Sequence, residues 1–359
     1  MSPPSPSRGR RGTERSDCGR KTFAARDRER KRLAPPAGLT RRDIAEAHAW
    51  AREACRSRGI PVIAPIDSVH VQPWSTVLRV PTSGGLVYVK CCGPTQAHEP
   101  RLTALLHREF PGLVTEVLAL HPTRPWMLVA EGGKKLGEAY SGDELLRKWR
   151  EILPRCAVLQ REITPRTDEI IAFGTPDRRA ARLLAGFADV VAGEPAVSGQ
   201  RPDRLTADER RALTSVQSRV AEGLNALAAL EIDDTLNHDD LHQNNVLVRD
   251  GRMVIFDWGD ACVSHPFLTL AVTLRFASQQ TGRAQDSAEI AALRDAYLEP
   301  WSGRASKREL RDAAELGRRI GEVSRTLTFD AVARAYPGVI DTYPGGLAGS
   351  LRRVLALFG

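Results

Sequence analysis

Long apolar runs are missing from this chain. Nowhere do apolar residues approach the roughly 20 in a row that cross a bilayer, and the Arg-rich first residues lack the apolar core of a secretory signal. A membrane protein or an exported one is therefore disfavoured, and a cytoplasmic location is expected. Cysteine is scarce and scattered. Cys18, Cys55, Cys91, Cys92, Cys156 and Cys262 form no C-x-x-C pair, and no histidine cluster stands at metal-ligand spacing. Neither a disulfide framework nor a zinc site organises the fold, and reduced, mostly buried thiols are expected. A glycine loop of the form G-x-G-x-x-G is absent, and so is any internal repeat.

The positive charge is less widespread than the net +8 suggests. Residues 1–37 hold eleven Lys or Arg against four Asp or Glu, a local +7 that leaves +1 for everything after. This Pro-, Ser-, Gly- and Arg-rich stretch cannot bury enough surface to fold, so residues 1–38 read as a disordered basic tail. Glu14, Asp17, Asp27 and Glu29 interrupt any basic stripe. They argue against nucleic-acid binding by the tail and against a mitochondrial targeting peptide.

What is present is enough for two cores: 359 residues at 42% hydrophobic exceed the size at which one core stops growing. Thr40 with Asp43 makes a capping box for a helix to about Arg58, ended by Gly59. Loop and short extended pieces follow from Pro61 to Val71. Ser75–Val80 and Leu86–Lys90 form a hairpin through a Gly-containing turn. Glu99–His107 is helical, and Leu113–Leu120 and Trp126–Ala130 are strands. Helical periodicity then takes over. Ser141 with Glu144 predicts a second capping box, for a helix bent at Pro154, and further helices span Arg178–Val191 and Thr206–Leu230, the latter capped by Thr206 with Glu209. Pro266–Ala277, about Asp286–Leu298, Ser306 to Thr328 or beyond, and Leu347–Phe358 complete the helices.

Between these helices lies the stretch that carries chemistry, Asn237-His-Asp-Asp-Leu-His-Gln-Asn-Asn-Val-Leu-Val248, then a turn at Asp250-Gly251, then Met253-Val-Ile-Phe-Asp-Trp258. Phosphoryl transfer on a metal-bound nucleotide needs a carboxylate at the attacking hydroxyl and oxygen ligands that hold the metal against the phosphates. Asp240 supplies the first; Asn245 and Asp257 supply the second. The five-residue step from Asp240 to Asn245, and an Asp ending the next strand, match the protein-kinase catalytic loop and its metal-binding Asp.

His238 to Asn245 followed by Phe256-Asp257-Trp258 resembles the signature of the aminoglycoside phosphotransferase and choline kinase superfamily, H-G-D-L-H-x-x-N then [IF]-D-[WF]. The resemblance implies an α+β, two-lobed, protein-kinase-like fold, with a small antiparallel sheet lobe at 39–132 and a larger, mainly helical lobe at 133–359. It implies an ATP- and Mg2+-dependent phosphotransferase acting on a hydroxyl of a small molecule, with aminoglycosides, macrolides, choline and related alcohols among the family's acceptors. Lys90 then stands where the family carries its phosphate-contacting lysine, with Glu99 as its partner acid. The corner Pro73-Trp-Ser-Thr76 replaces the glycine loop, offering Ser75 or Thr76 to phosphate. Val129 to Glu131 is the hinge whose backbone meets adenine. His238 anchors the loop from beneath, His242 orients it, and Asn244 is a turn residue. Asp260 is read as a cap or ion-pair partner. Two positions depart from the pattern: Asp239 takes the usual Gly position, where it would strain the loop or perturb its neighbour, and Thr269 takes the place of a frequent Asp. A protein kinase is disfavoured, since no D-F-G or A-P-E follows. A non-catalytic nucleotide-binding or regulatory protein of the same fold is the alternative, opposed by the intact set Lys90, Asp240, Asn245 and Asp257.

Overall fold

Local chemistry decides the first helix. Thr40 lies in extended backbone and accepts the Asp43 N–H while Asp43 takes the Thr40 N–H, and this reciprocal cap starts α1 (Arg41–Arg56). The computed structural model describes residues 39–193, 205–336 and 346–359, so the expected tail at 1–38 lies outside the described residues. One stripe of α1, Ala47, Ala51, Ala54 and Cys55, packs against Leu78, Val89 and Leu128 of an antiparallel sheet. Its five strands are β1 (Asp67–Gln72), β2 (Ser75–Thr82), β3 (Gly85–Cys92), β4 (Val117–Leu120) and β5 (Trp126–Ala130), in the order β1-β2-β3-β5-β4. The hairpin is longer than its sequence suggests, closing on Ser83-Gly84 with Gly85 at φ +111°.

One expectation is sharpened here and another corrected. Residues 61–71, expected as loop and short extended pieces, hold one such piece as a full edge strand, because β1 pairs along β2. Five of its six residues are exposed, so no apolar alternation announces it. Leu113–Leu120 is not one strand. Val117–Leu120 joins the sheet, whereas Leu113 and Thr115 exchange backbone hydrogen bonds with Ile255 beside the catalytic loop.

The second core belongs to helices. α2 (Glu99–Glu109) sends Leu102, Leu105 and Leu106 into it, where they join Trp149 and Ile152 of α3 (Gly142–Ile163). The expected cap by Ser141 is absent: Gly142 turns at φ +54°, no side-chain bond forms, and Glu144 pairs with Arg147 instead. α3 runs on through Pro154. α4 (Ala180–Ala192) and α5 (Ala207–Ala228) follow, with Leu213, Val216, Val220, Leu224 and Leu227 of α5 all buried on one face. Thr206 and Glu209 form the expected capping box. The chain then passes through β7 (Thr235–Asn237) into the segment built on β8 (Val246–Arg249) and β9 (Arg252–Ile255), where β8 also pairs with the short strand β6 (Lys134–Lys135). Its turn, Asp250-Gly251, has both residues at positive φ, the geometry of a tight two-residue hairpin. The apolar stretch from Pro266 is a single turn, Pro266–Thr269, leading into α6 (Leu270–Thr281). α7 (Ala288–Leu298), α8 (Lys307–Ala335) and α9 (Gly346–Phe358) complete the lobe. Among the described residues no helix is long and apolar enough to cross a membrane, and five buried cysteines are unpaired.

Candidate active site

The loop at 238–245 begins where β7 ends and is pinned from three sides. His238 donates from Nε2 to the Phe256 carbonyl at 3.0 Å, and its ring lies 4.7 Å from that of Trp258. Burial holds its imidazole below the usual value, so it serves as a neutral anchor. Thr273 of α6 donates to the Leu241 carbonyl at 2.9 Å. Thr269 donates to Asn237, so the hydroxyl that replaces an expected carboxylate still ties the loop down.

Asp239 has φ +59°, the left-handed backbone that explains why glycine suits this position and why Asp, which tolerates it, is accepted. Its side chain does not strain the loop toward Asp240 but runs into the helical lobe. Arg178 Nη1 donates to it at 2.8 Å, Ser324 Oγ at 2.8 Å and Thr328 Oγ1 at 3.1 Å, with Arg325 Nη1 at 3.4 Å. Burial pushes this carboxyl up; the two guanidiniums oppose that rise.

Asp240 is held on both oxygens. Asn245 Nδ2 lies 3.3 Å and His242 Nε2 3.4 Å from Oδ2, and Arg325 Nη2 lies 3.2 Å from Oδ1. Burial alone would raise this carboxyl, but Arg325 and His242 outweigh it and hold it at about 2. The orientation of His242 is fixed in turn: its Nδ1 accepts the Asn244 N–H at 3.1 Å, and its ring stacks 4.7 Å from Phe276 of α6. Asn244 is thus a turn residue with a second use.

Asp257 also sits in left-handed backbone, at φ +66°, which swings its carboxylate out of the β9 line toward the sheet lobe. Lys90 Nζ, on β3, donates to Asp257 Oδ1 at 2.5 Å and to Glu99 Oε1, at the start of α2, at 2.7 Å. Burial works against the ammonium, yet Asp257 and Glu99 raise its pKa overall. Asp257 is lowered by the same contact against the effect of its burial. Glu99 is fully buried and takes a second donor, Cys92 Sγ, at 3.3 Å.

Asn245 donates twice from Nδ2, to the Asp240 carbonyl at 2.9 Å and to its carboxylate, leaving Oδ1 as a hard oxygen donor. Asp257 keeps Oδ2. Among the described residues no group of three or more His, Cys, Asp or Glu could hold a metal by itself. An amide oxygen and a carboxylate fit a hard cation that takes its remaining ligands from phosphates and water, as magnesium does at nucleotide sites.

The other expected residues surround this centre. Ser75 and Thr76 are the first residues of β2, after the tight turn Pro73-Trp74, and both are buried; Gly93 N–H holds the turn through the Trp74 carbonyl at 2.6 Å. Val129 pairs with Tyr88 within the sheet, and the Glu131 carbonyl accepts from Arg249 at 3.3 Å. The glycines that follow are required by a crossing: a Cβ on Gly132 would strike Leu247 and one on Gly133 the Val248 carbonyl, where the chain passes over β8.

Several residues of the site carried no signal in the sequence. Arg325 of α8 reaches Asp239, Asp240 and Asp260 at once, the last at 2.9 Å. Asp260 also accepts from Gln96 of the sheet lobe at 3.2 Å, so it is an ion-pair partner that links the lobes. Arg178, Cys92 and Gln96 complete this set.

Residues 131–320 match the sequence profile of a family described as phosphotransferase enzymes. No curated protein matches the chain in sequence. Solved structures with a similar fold include an ethanolamine kinase of Plasmodium vivax, with TM-score 0.58 and 10% identity, covering 82% of this chain and 81% of that one. A choline/ethanolamine kinase family protein from Mesorhizobium loti gives 0.55 at 18% identity, over 86% and 93% of the two chains. A macrolide 2'-phosphotransferase from Brachybacterium faecium gives 0.54 at 14%, over 83% and 97%. At such identities the likeness establishes the two-lobed kinase-like fold and leaves the acceptor to the residues of the site.

Proposed function

Because the chain belongs to the phosphotransferase enzyme family, we propose that it transfers the γ-phosphate of ATP, with Mg2+, to a hydroxyl of a small-molecule acceptor in the cytoplasm. The observation that carries this reading is the pair of clusters, Asp240 with Asn245 and Lys90 with Glu99 and Asp257, brought side by side where the Phe256 N–H meets the Asn245 carbonyl at 3.1 Å. Asn245 and Asp257 would hold the magnesium, which supplies charge neutralisation at the transferring phosphoryl group. Lys90, held extended by Glu99, would contact the α- and β-phosphates. Backbone groups at Val129 to Glu131 would meet adenine, and Ser75 or Thr76 would face phosphate from the sheet lobe.

Asp240 orients the acceptor hydroxyl and receives its proton late. A carboxylate held at about 2 is a weak base toward an alcohol, so its main work is alignment and electrostatics. The protein's contribution is therefore positioning, as expected for a loose phosphoryl transition state.

Aminoglycosides, macrolides and amino alcohols enter as acceptors to be tested, beside neutral and acidic alcohols. The test is MgATP calorimetry joined to ATP consumption across that panel. Wild type should bind MgATP and consume it with at least one acceptor, whereas Asp257→Ala should lose metal-dependent nucleotide binding. Unchanged MgATP affinity in that variant would remove Asp257 from the metal site. MgATP binding with no turnover on any acceptor would favour the non-catalytic reading.

A further inference from the structure

Beside the catalytic loop two arginines share one acid. Glu322 of α8 is buried, accepting Arg275 Nε of α6 at 2.7 Å on one oxygen and Arg353 Nε of α9 at 2.9 Å on the other. Two guanidiniums against one carboxylate leave a surplus positive charge. Arg325, one turn further along α8, has its own counter-charge in Asp239, Asp240 and Asp260, so those acids are engaged elsewhere and do not offset this pair.

Two stacked rings link the surplus to the base. Arg275 sits 4.9 Å over the ring of Phe276, that ring stacks on His242, and His242 faces Asp240. Burial pushes the Arg275 guanidinium below its ordinary value despite Glu322, and the charges of Arg353 and Arg325 push the same way. That is the signature of a desolvated cation with too little counter-charge around it. Each arginine gives Glu322 its Nε, and among the described residues no hydrogen bond uses the Nη nitrogens of either. Those nitrogens form the forked donors that suit a carboxylate or a phosphate. The acids nearby offer no counterpart for a polyamine: Asp239, Asp240 and Asp260 contact Arg325, and Asp257 contacts Lys90.

We propose that the acceptor is an anionic alcohol, a hydroxy acid or a sugar or polyol phosphate, whose carboxylate or phosphate binds Arg275 and Arg353 while its hydroxyl lies at Asp240. This rests on the phosphotransferase reading and selects among its acceptors, against the polycationic ones.

Two measurements test it. In the first, MgATP consumption is compared for glycerate, glycerol 3-phosphate, glycerol, choline and kanamycin. The acidic members should give the highest kcat/KM, and the better of the two identifies carboxylate or phosphate as the group bound. A neutral or cationic member preferred over both overturns the inference. With the better acid, Arg275→Gln and Arg353→Gln should each raise its KM about ten- to a hundredfold, the loss of one charge-assisted hydrogen bond, with kcat and MgATP affinity nearly unchanged. Arg275→Lys should recover part of the loss. An unchanged KM in both glutamine variants overturns the inference.

The second measurement needs no turnover. Calorimetry with glycerate and with glycerol 3-phosphate should show binding to wild type, weakened in the glutamine variants, even if no phosphate is transferred. That result would keep the anion site while the phosphotransferase reading fails. MgATP binding without binding of either acid would do the reverse.

Discussion

Asp239 and Asp240 are adjacent in the chain and face opposite ways. Asp240 is the more exposed of the two and the proposed base, so Asp240→Asn, which keeps its size but removes its charge, should reduce turnover by on the order of 10² to 10⁴. MgATP affinity measured by calorimetry should change little, because Asp240 contacts none of Lys90, Glu99 and Asp257, proposed to hold the nucleotide, and the substituted Asn keeps an oxygen for the Asn245 amide. Asp239 faces two buried guanidiniums, and Asp239→Asn leaves them without their full counter-charge. Removing one partner of a buried ion pair costs roughly 3–5 kcal/mol, which a urea unfolding midpoint should register as a large loss of stability. The two substitutions therefore separate by assay: one lowers the rate, the other the stability. The spacing of Asp240, Asn245 and Asp257 was legible because chemistry fixes it within one short segment. Arg325 was not, since it is one of 52 Lys and Arg and meets Asp239 across a separation of 86 residues.

At the scale of elements, helix starts were legible where the cap is local and failed where the backbone turns first. Thr40 and Thr206 cap as expected, whereas Ser141 precedes a glycine at φ +54° and its Ser-x-x-Glu string makes no box. β1 was legible only as a short extended piece, because an exposed edge strand needs no apolar alternation. The cap of α5 also serves a second helix. Glu209 takes the Thr206 N–H and pairs with Arg352 of α9 at 2.7 Å. The Arg352 hydrogen bond, with the Thr206 N–H next, holds its folded pKa at about 2 against an ordinary 4.5. A depressed acid stabilises the fold fully above its unfolded pKa, and that contribution fades as pH falls through the folded one. Glu209→Gln should therefore lower the melting temperature at pH 7, with the difference from wild type shrinking between about pH 4.5 and 2. A difference that persists undiminished to the acid end of that window would assign the effect to packing.

Across the whole molecule, the contacts that assemble the site run between lobes. Lys90 and Gln96 of the sheet lobe reach Asp257 and Asp260, Leu113 and Thr115 pair with Ile255, and Thr95 meets Tyr336 past the end of α8 at 3.4 Å. None of the site contacts described uses a residue before Trp74. A protein lacking residues 1–37 should accordingly keep its MgATP affinity and turnover, and a large loss of either would make the tail part of the site. The two-lobed plan was legible from length and from the change of period after Tyr140. The closure between lobes was not, because each contact joins residues whose own neighbourhoods give no hint of the partner.

Arg325 also sets an order of events during synthesis. The ribosome makes Asp239 86 residues before the arginine that helps neutralise it, and Ser324 and Thr328 emerge beside that arginine on the same late helix. At about 5–20 residues per second, those 86 residues take roughly 4 to 17 s. For most of that interval the nascent chain carries a finished catalytic sequence in which Asp239, Asp240 and Asp260 lack Arg325. The loop can settle only after α8 has left the exit tunnel, so a polypeptide released anywhere between Trp258 and Arg325 would display the whole signature and still be unable to build the site.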